Sequence, residues 1–162
     1  MDSRVLAVVV TVTALSAATR IDAQTATQVV RFQVNAINQI AVSGNPAPLI
    51  INSATAGSAP TSVTANGSSY AITTNELNQK ITASIDQALP NGVTLDVTLA
   101  APGGAASIGA VSLSTSGADV VTGISSTAAS SLPITYRLSA APSAQMPAPA
   151  ARTVTFTIVS GT

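Results

Sequence analysis

The stretch TQVVRFQVNAINQIAV, residues 27–42, decides the fold class because apolar and polar side chains alternate along it. The apolar row lies at even positions and comprises Val30, Phe32, Val34, Ala36, Ile40 and Val42. This period of two is typical of a β-strand with one buried face. Because strands usually span about five or six residues, the stretch predicts either two strands joined by a bend near Asn38 or one strand that extends beyond its own domain.

The rest of the chain carries shorter alternating or apolar runs, separated by residues that favour turns. Two pairs of runs are predicted to form hairpins: 61–65 with 69–74 around Asn66-Gly67, and 80–86 with 93–99 around 89–92. Further strands are predicted at 49–52, 108–113, 120–124, 132–140 and 153–159. Two alternatives stay open. One is a helix over residues 75–88, because several side chains there favour helix formation. The other is glycosylation at Asn66-Gly67-Ser68, because this tripeptide matches the sequon.

These runs predict an all-β fold, an antiparallel β-sandwich of the immunoglobulin-like or jelly-roll kind, preceded by a signal peptide. Residues 1–23 are assigned to the signal peptide, 24–42 to an N-terminal strand that is a candidate donor strand, and 43–162 to the sandwich domain. Along 153–159 threonine alternates with apolar residues where Lys or Glu would block edge pairing. Little in that run therefore opposes the addition of another strand.

An apolar run at 5–18, preceded by Arg4, indicates export. The run is shorter than the roughly twenty residues of a permanent span, so we expect cleavage and no membrane span afterwards. The preferred cut follows Ala23, with a cut near Ala18 as the alternative and a buried N-terminal element of the fold as a further interpretation. The expected location is secreted, either extracellular or at the cell surface.

Composition narrows the classes of function. Charged residues make up 7% of the chain, aromatic residues 2% and hydrophobic residues 46%, and the formal net charge is zero. Enough apolar side chains are present for a folded core. Because the net charge is zero, charge repulsion does not keep copies of the chain apart. Nucleic-acid binding needs a basic stripe, whereas the six Lys and Arg residues are scattered singly, so we expect no nucleic-acid partner.

Catalytic residue types are scarce. Histidine and cysteine are absent, which removes the commonest general base, the thiolate nucleophile and most zinc and copper ligands. A serine nucleophile would have to rely on Lys80, without a supporting motif. The acids after residue 23 lack the spacing of a calcium loop or a glycosidase pair; they are Glu76, Asp86, Asp96 and Asp119. We therefore predict no enzyme activity and no catalytic, cofactor-binding or metal-binding residue.

The long N-terminal stretch suggests how copies of the chain would join. If residues 25–36 lie outside their own sandwich, they can add a strand to the next copy. The side chains that would then fill its groove are Val30, Phe32, Val34 and Ala36. Such head-to-tail contacts do not close on themselves, so they build a filament. The alternative is that the stretch is the first strand of a self-contained monomer, a secreted adhesive or carbohydrate-binding module.

The alternating segment after a signal peptide, the short Ser/Thr-rich strands and the terminal run RTVTFTI at 152–158 form a pattern. In this pattern the chain resembles donor-strand-assembled pilins, spore coat protein U-like domains and camelysin-like fibre subunits. It departs from them in lacking paired cysteines and the aromatic residue near the pilin C-terminus. The resemblance implies a fibre subunit whose partners are copies of itself in a homopolymer, with an export or assembly chaperone as a further candidate partner.

Overall fold

The computed structural model describes residues 24–145 and 149–161, so the predicted signal peptide at 1–23 lies outside the described residues. Every regular element in these two ranges is a strand, and none is a helix that could cross a membrane. The strands are β1 (Asn38–Ser43), β2 (Val63–Thr74), β3 (Gln79–Ile85), β4 (Val93–Leu99), β5 (Ala106–Ser107), β6 (Val111–Ser112), β7 (Ala118–Ile124), β8 (Thr127–Ala140) and β9 (Val154–Ser160). The prediction of an all-β fold is confirmed, and the helix alternative for 75–88 is wrong.

The described strands form two antiparallel sheets. One sheet has the order β1-β2-β8-β4-β6, and the other has the order β5-β7-β3-β9. Side chains from both sheets meet in a single hydrophobic core, because the alternation along each strand turns one apolar row inwards. The largest fully buried members of the core are Tyr70, Ile72, Ile81, Leu99, Ile124, Ile134, Val97, Val120 and Val121.

The hairpin predicted around Asn66-Gly67 is wrong, since β2 runs through this dipeptide without turning back. Ala65 pairs with Tyr136 and Ser68 with Ile134, so two residues of β2 lie opposite one residue of β8. This two-against-one count is a β-bulge. Glycine supplies the positive φ of 106° that the bulge requires at position 67.

The second predicted hairpin, 80–86 with 93–99, is also wrong. Both strands exist, as β3 and β4, but β3 belongs to the four-stranded sheet and β4 to the five-stranded sheet. The connection between them crosses from one sheet to the other instead of reversing within one. The predicted strand at 49–52 is absent as well, and the segment between β1 and β2 contains only an isolated bridge between Ala54 and Pro60.

The chain divides into two compact units, Met1–Gln33 and Val34–Thr162. Of the first unit the structure describes only residues 24–33, which are exposed and belong to no strand. The second unit carries both sheets. β1 is paired with β2 and belongs to the second unit, and the predicted domain bounds stay a prediction.

Candidate assembly surface

The residues predicted to act as a donor strand lie in a stretch that belongs to no strand. The strand predicted from Thr27 begins only at Asn38, and residues 24–37 have no regular structure. Along the predicted row, Val30, Phe32 and Val34 are 71%, 93% and 77% exposed. Ala36 is exposed as well. The structure therefore does not gather these four side chains into a buried site, and it leaves the apolar row open to solvent.

Asn75 explains why strand pairing stops near Asn38. Thr74, the last residue of β2, pairs with Asn38. The next residue, Asn75, brackets the incoming segment with its side chain: its Oδ1 accepts a hydrogen bond of 2.8 Å from the Ile37 amide, and its Nδ2 donates one of 2.8 Å to the Asn35 carbonyl. The Asn75 amide also donates to the Ile37 carbonyl at 3.2 Å. The Asn75 side chain thus replaces one of the two main-chain hydrogen bonds that the next residue pair would make, at the point where the segment leaves the sheet.

The four strands at the sheet margins differ in what they offer to a further strand. β5 and β6 are two residues long, whereas β1 has six residues and β9 has seven. β9 pairs only with β3 among the described strands, and β1 pairs only with β2. β1 and β9 are in contact with each other, so the long free edges of the two sheets lie at the same margin of the core.

A groove of about 1310 Å³ opens at this margin, beside the first half of β9. Its walls are mostly apolar, and they include Val154 and Phe156 from β9, Leu95 from β4 and Leu138 from β8. The segment between β1 and β2 contributes a further wall at 44–54. A concave apolar surface of this kind is characteristic of binding sites.

One polar group in the wall of the groove has no partner. Ser68 is only 4% exposed, and its Oγ has no hydrogen-bond partner among the described residues. Burying a hydroxyl without a partner costs about 1–3 kcal/mol, so native structures rarely leave one in this state. The groove therefore combines mostly apolar walls with one buried hydroxyl that has no hydrogen-bond partner among the described residues.

Three of the carboxylates make separate local contacts and do not form a reactive cluster. Lys80 and Asp119 make an ion pair of 3.2 Å, and the Asp96 carboxylate accepts from the Ser112 hydroxyl at 2.6 Å. The Asp86 carboxylate accepts from the Thr153 amide at 3.0 Å, just before β9 begins. Among the residues that the structure describes, no three metal-ligating side chains come together. Asp86, Asp96 and Asp119 thus serve local structure at separate places.

The four aromatic residues are divided between core and surface. Tyr70 and Tyr136 are 1% and 6% exposed. Burial raises the pKa of Tyr70 to about 12 and also raises the pKa of Tyr136, so both phenols are neutral at neutral pH. Phe156 is half-buried in β9, while Phe32 is open to solvent in the N-terminal segment. Phe32 is therefore the aromatic ring that is open to solvent, while the other three are buried or half-buried.

Sequence reasoning identified the exposed row and the weak protection of the run at 153–159, but it missed two positions of this surface. Asn75 and Ser68 carry no sequence signal, because Asn and Ser are common in loops and strand faces of any β protein. Leu49 was placed in a strand, and it lies instead in the groove wall and packs against the core. Comparisons of the chain with protein-family models, with curated proteins and with solved structures found no match.

Proposed function

We propose that this chain is the structural subunit of an extracellular or cell-surface filament, and that it polymerises by β-strand complementation through its N-terminal segment. Its fold is then a β-sandwich of the immunoglobulin-like or jelly-roll kind. The protein is exported by means of a signal peptide that is cleaved. Its partners are copies of itself, with a chaperone for export or assembly as an additional partner. The protein acts by packing, without catalysis, cofactor or nucleic acid.

The exposed apolar row of the N-terminal segment is the observation that carries the proposal. Val30, Phe32 and Val34 recur with the period of a strand, yet each is at least 71% exposed. Full burial of a side chain of this size is worth about 1.5–3 kcal/mol. A single subunit leaves this free energy unused, and a contact with another copy would recover it.

The remaining properties of the chain agree with strand addition. A segment in extended form brings main-chain hydrogen bonds as well as alternate side chains to the edge of a sheet. The formal net charge of zero removes the repulsion that would oppose association. Because the segment and the sheet edge that receives it are different surfaces, each added copy presents a fresh segment, and growth continues in one dimension.

The alternative function is a monomeric secreted module that binds a carbohydrate or adheres to a surface. Under this alternative the N-terminal segment would form part of its own domain. Tyr70 and Tyr136 are buried, so neither tyrosine ring is available to stack on a sugar. We therefore favour the filament subunit.

Deleting residues 25–36 separates the two functions. The filament subunit should remain folded, since β1 and its pairing with β2 begin only at Asn38, but it should lose the ability to polymerise. Circular dichroism would report the fold, and electron microscopy would report the fibres. A deletion variant that fails to fold would favour the monomeric module.

A comparison of the two rows of the segment sharpens this test. The triple variant Val30→Ser, Phe32→Ser and Val34→Ser removes the apolar row and should abolish fibres. The control variant Arg31→Ser and Gln33→Ser changes the other row and should leave fibres intact. Fibres that survive the triple change, or fibres lost equally in both variants, would contradict complementation by the apolar row.

A further inference from the structure

The filament requires a sheet edge that can receive the N-terminal segment, and the described strands narrow the choice. Two of the four marginal strands, β5 and β6, have two residues each. A two-residue strand offers too few main-chain groups to hold a segment with three large apolar side chains. The remaining free edges are those of β1 and β9.

The inward row of β9 is less completely covered than the rest of the core. Val154, Phe156 and Ile158 pack against the core but are only partly buried. The inward residues Ile81, Ala83 and Ile85 of the neighbouring strand β3 are all at most 4% exposed. β1, by comparison, contributes only Ile40 to the core. The apolar surface that lacks a covering strand is therefore concentrated beside β9.

β9 also lacks the features that protect free edges. It has the sequence VTFTIVS, without a charged residue or a proline, whereas natural edge strands usually carry lysine, proline or a bulge. Its register with β3 is unbroken from Ile85–Val154 to Gln79–Ser160. An unbroken, uncharged edge is suited to pairing with a further strand.

We infer that the free edge of β9, together with the groove beside it, is the acceptor site for residues 25–36 of a second copy of this chain. This inference rests on the proposed function and names the receiving surface. The spacing of two residues in the row Val30, Phe32 and Val34 equals the spacing of the inward row of β9, so a paired strand would turn its apolar side chains into the groove.

The occupant is a second copy because this chain itself exposes an apolar row of the required period, and because neither that row nor β9 contains a charged residue.

Disulfide trapping in the full chain tests the site directly. The chain contains no cysteine, so introduced thiols are the only ones present. Neighbouring strands lie about 4.8 Å apart, which brings facing residues within the Cα separation of about 4.4–6.8 Å that a disulfide needs. Outward positions leave the apolar row intact, and the test variants therefore pair Gln33→Cys with Thr155→Cys or with Thr157→Cys. The matched control pairs Gln33→Cys with Ser107→Cys on β5, which is also exposed.

Oxidation of assembled protein should convert at least one of the two β9 double variants into a ladder of covalent multimers on a denaturing gel. The control and the four corresponding single-cysteine variants should form no ladder. Fibres that form normally but give no ladder with either β9 variant, or that give one with the β5 control, would overturn the acceptor site and leave the filament proposal standing. The absence of fibres from the unaltered chain would instead overturn the proposed function itself.

Discussion

Replacing Phe32 by alanine should weaken assembly without changing the stability of a single subunit. The Phe32 side chain is 93% exposed, so nearly all of its surface is available for burial in a contact between copies. Burial of a phenylalanine is worth about 2 kcal/mol, and each 1.4 kcal/mol corresponds to about ten-fold in an equilibrium constant. The Phe32→Ala variant should therefore need about a 30-fold higher concentration before fibres appear.

Sedimentation of a concentration series measures this threshold, and urea denaturation below the threshold measures subunit stability. Stability should change by less than about 0.5 kcal/mol, because the exposed side chain supports no part of the core. Ile108→Ala is the matched control, since Ile108 is 52% exposed and directly follows β5, which lies at the opposite edge of the four-stranded sheet from β9. An unchanged threshold for Phe32→Ala, or an equal rise for Ile108→Ala, would refute the reasoning.

Three further predictions concern the subunit itself. Gly44→Ala should lower the free energy of unfolding by more than about 2 kcal/mol, as measured by urea denaturation, because φ is 75° and the added Cβ would lie 2.5 Å from a backbone oxygen of the β2 bulge. The control is Gly57→Ala, where φ is 83° but the added Cβ meets open space, and it should lower the free energy of unfolding by about 1 kcal/mol. Equal costs would contradict the close approach. Burial holds the Tyr70 proton, so its folded pKa of about 12 exceeds the ordinary value of 10.0. The contribution of the un-ionised Tyr70 side chain to the free energy of unfolding is fully present below pH 10 and is lost as the pH rises through 12. Tyr70→Phe should therefore reduce the loss of stability at alkaline pH. Identical stability profiles of the two proteins at alkaline pH would contradict this prediction. Asn75→Ala removes both side-chain hydrogen bonds to the segment before β1, so hydrogen exchange at the Ile37 amide should accelerate while exchange within β2 stays slow.

The strands themselves were largely predictable from the sequence, because the alternation of apolar and polar residues shows directly which face of a strand is buried. The runs at 120–124, 132–140 and 153–159 correspond to β7, β8 and β9. Partner choice was not predictable in the same way. It depends on contacts between residues far apart in the chain, as in the pairing of β3 with β9, and a local pattern contains no information on them.

The error at Asn66-Gly67 has a physical explanation. The dipeptide favours positive φ, which serves a tight turn and a β-bulge equally well. Here the bulge prevails because β8, with fourteen residues, is long enough to pair with β2 on both sides of the dipeptide. The Asn66 side chain supports this pairing by accepting a hydrogen bond of 2.9 Å from the Thr135 hydroxyl.

The candidate site was predictable only in its donor half. The row from Val30 to Val34 is visible in the sequence because alternation predicts burial of one face, although the pattern does not say whether that face is buried within the same copy or against another. The groove proposed as the acceptor half is lined by residues of β2, β4, β8 and β9 and of the segment at 44–54, among others. A groove made by several separate parts of the chain exists only once the sheets are formed, so no single stretch of sequence predicts it.

Electron microscopy of the purified, unaltered chain tests the central claim most directly. Subunits that complete one another through the N-terminal segment should appear as thin fibres of uniform width, which lengthen as the protein concentration increases. Isolated particles of single-subunit size at every concentration would contradict the account.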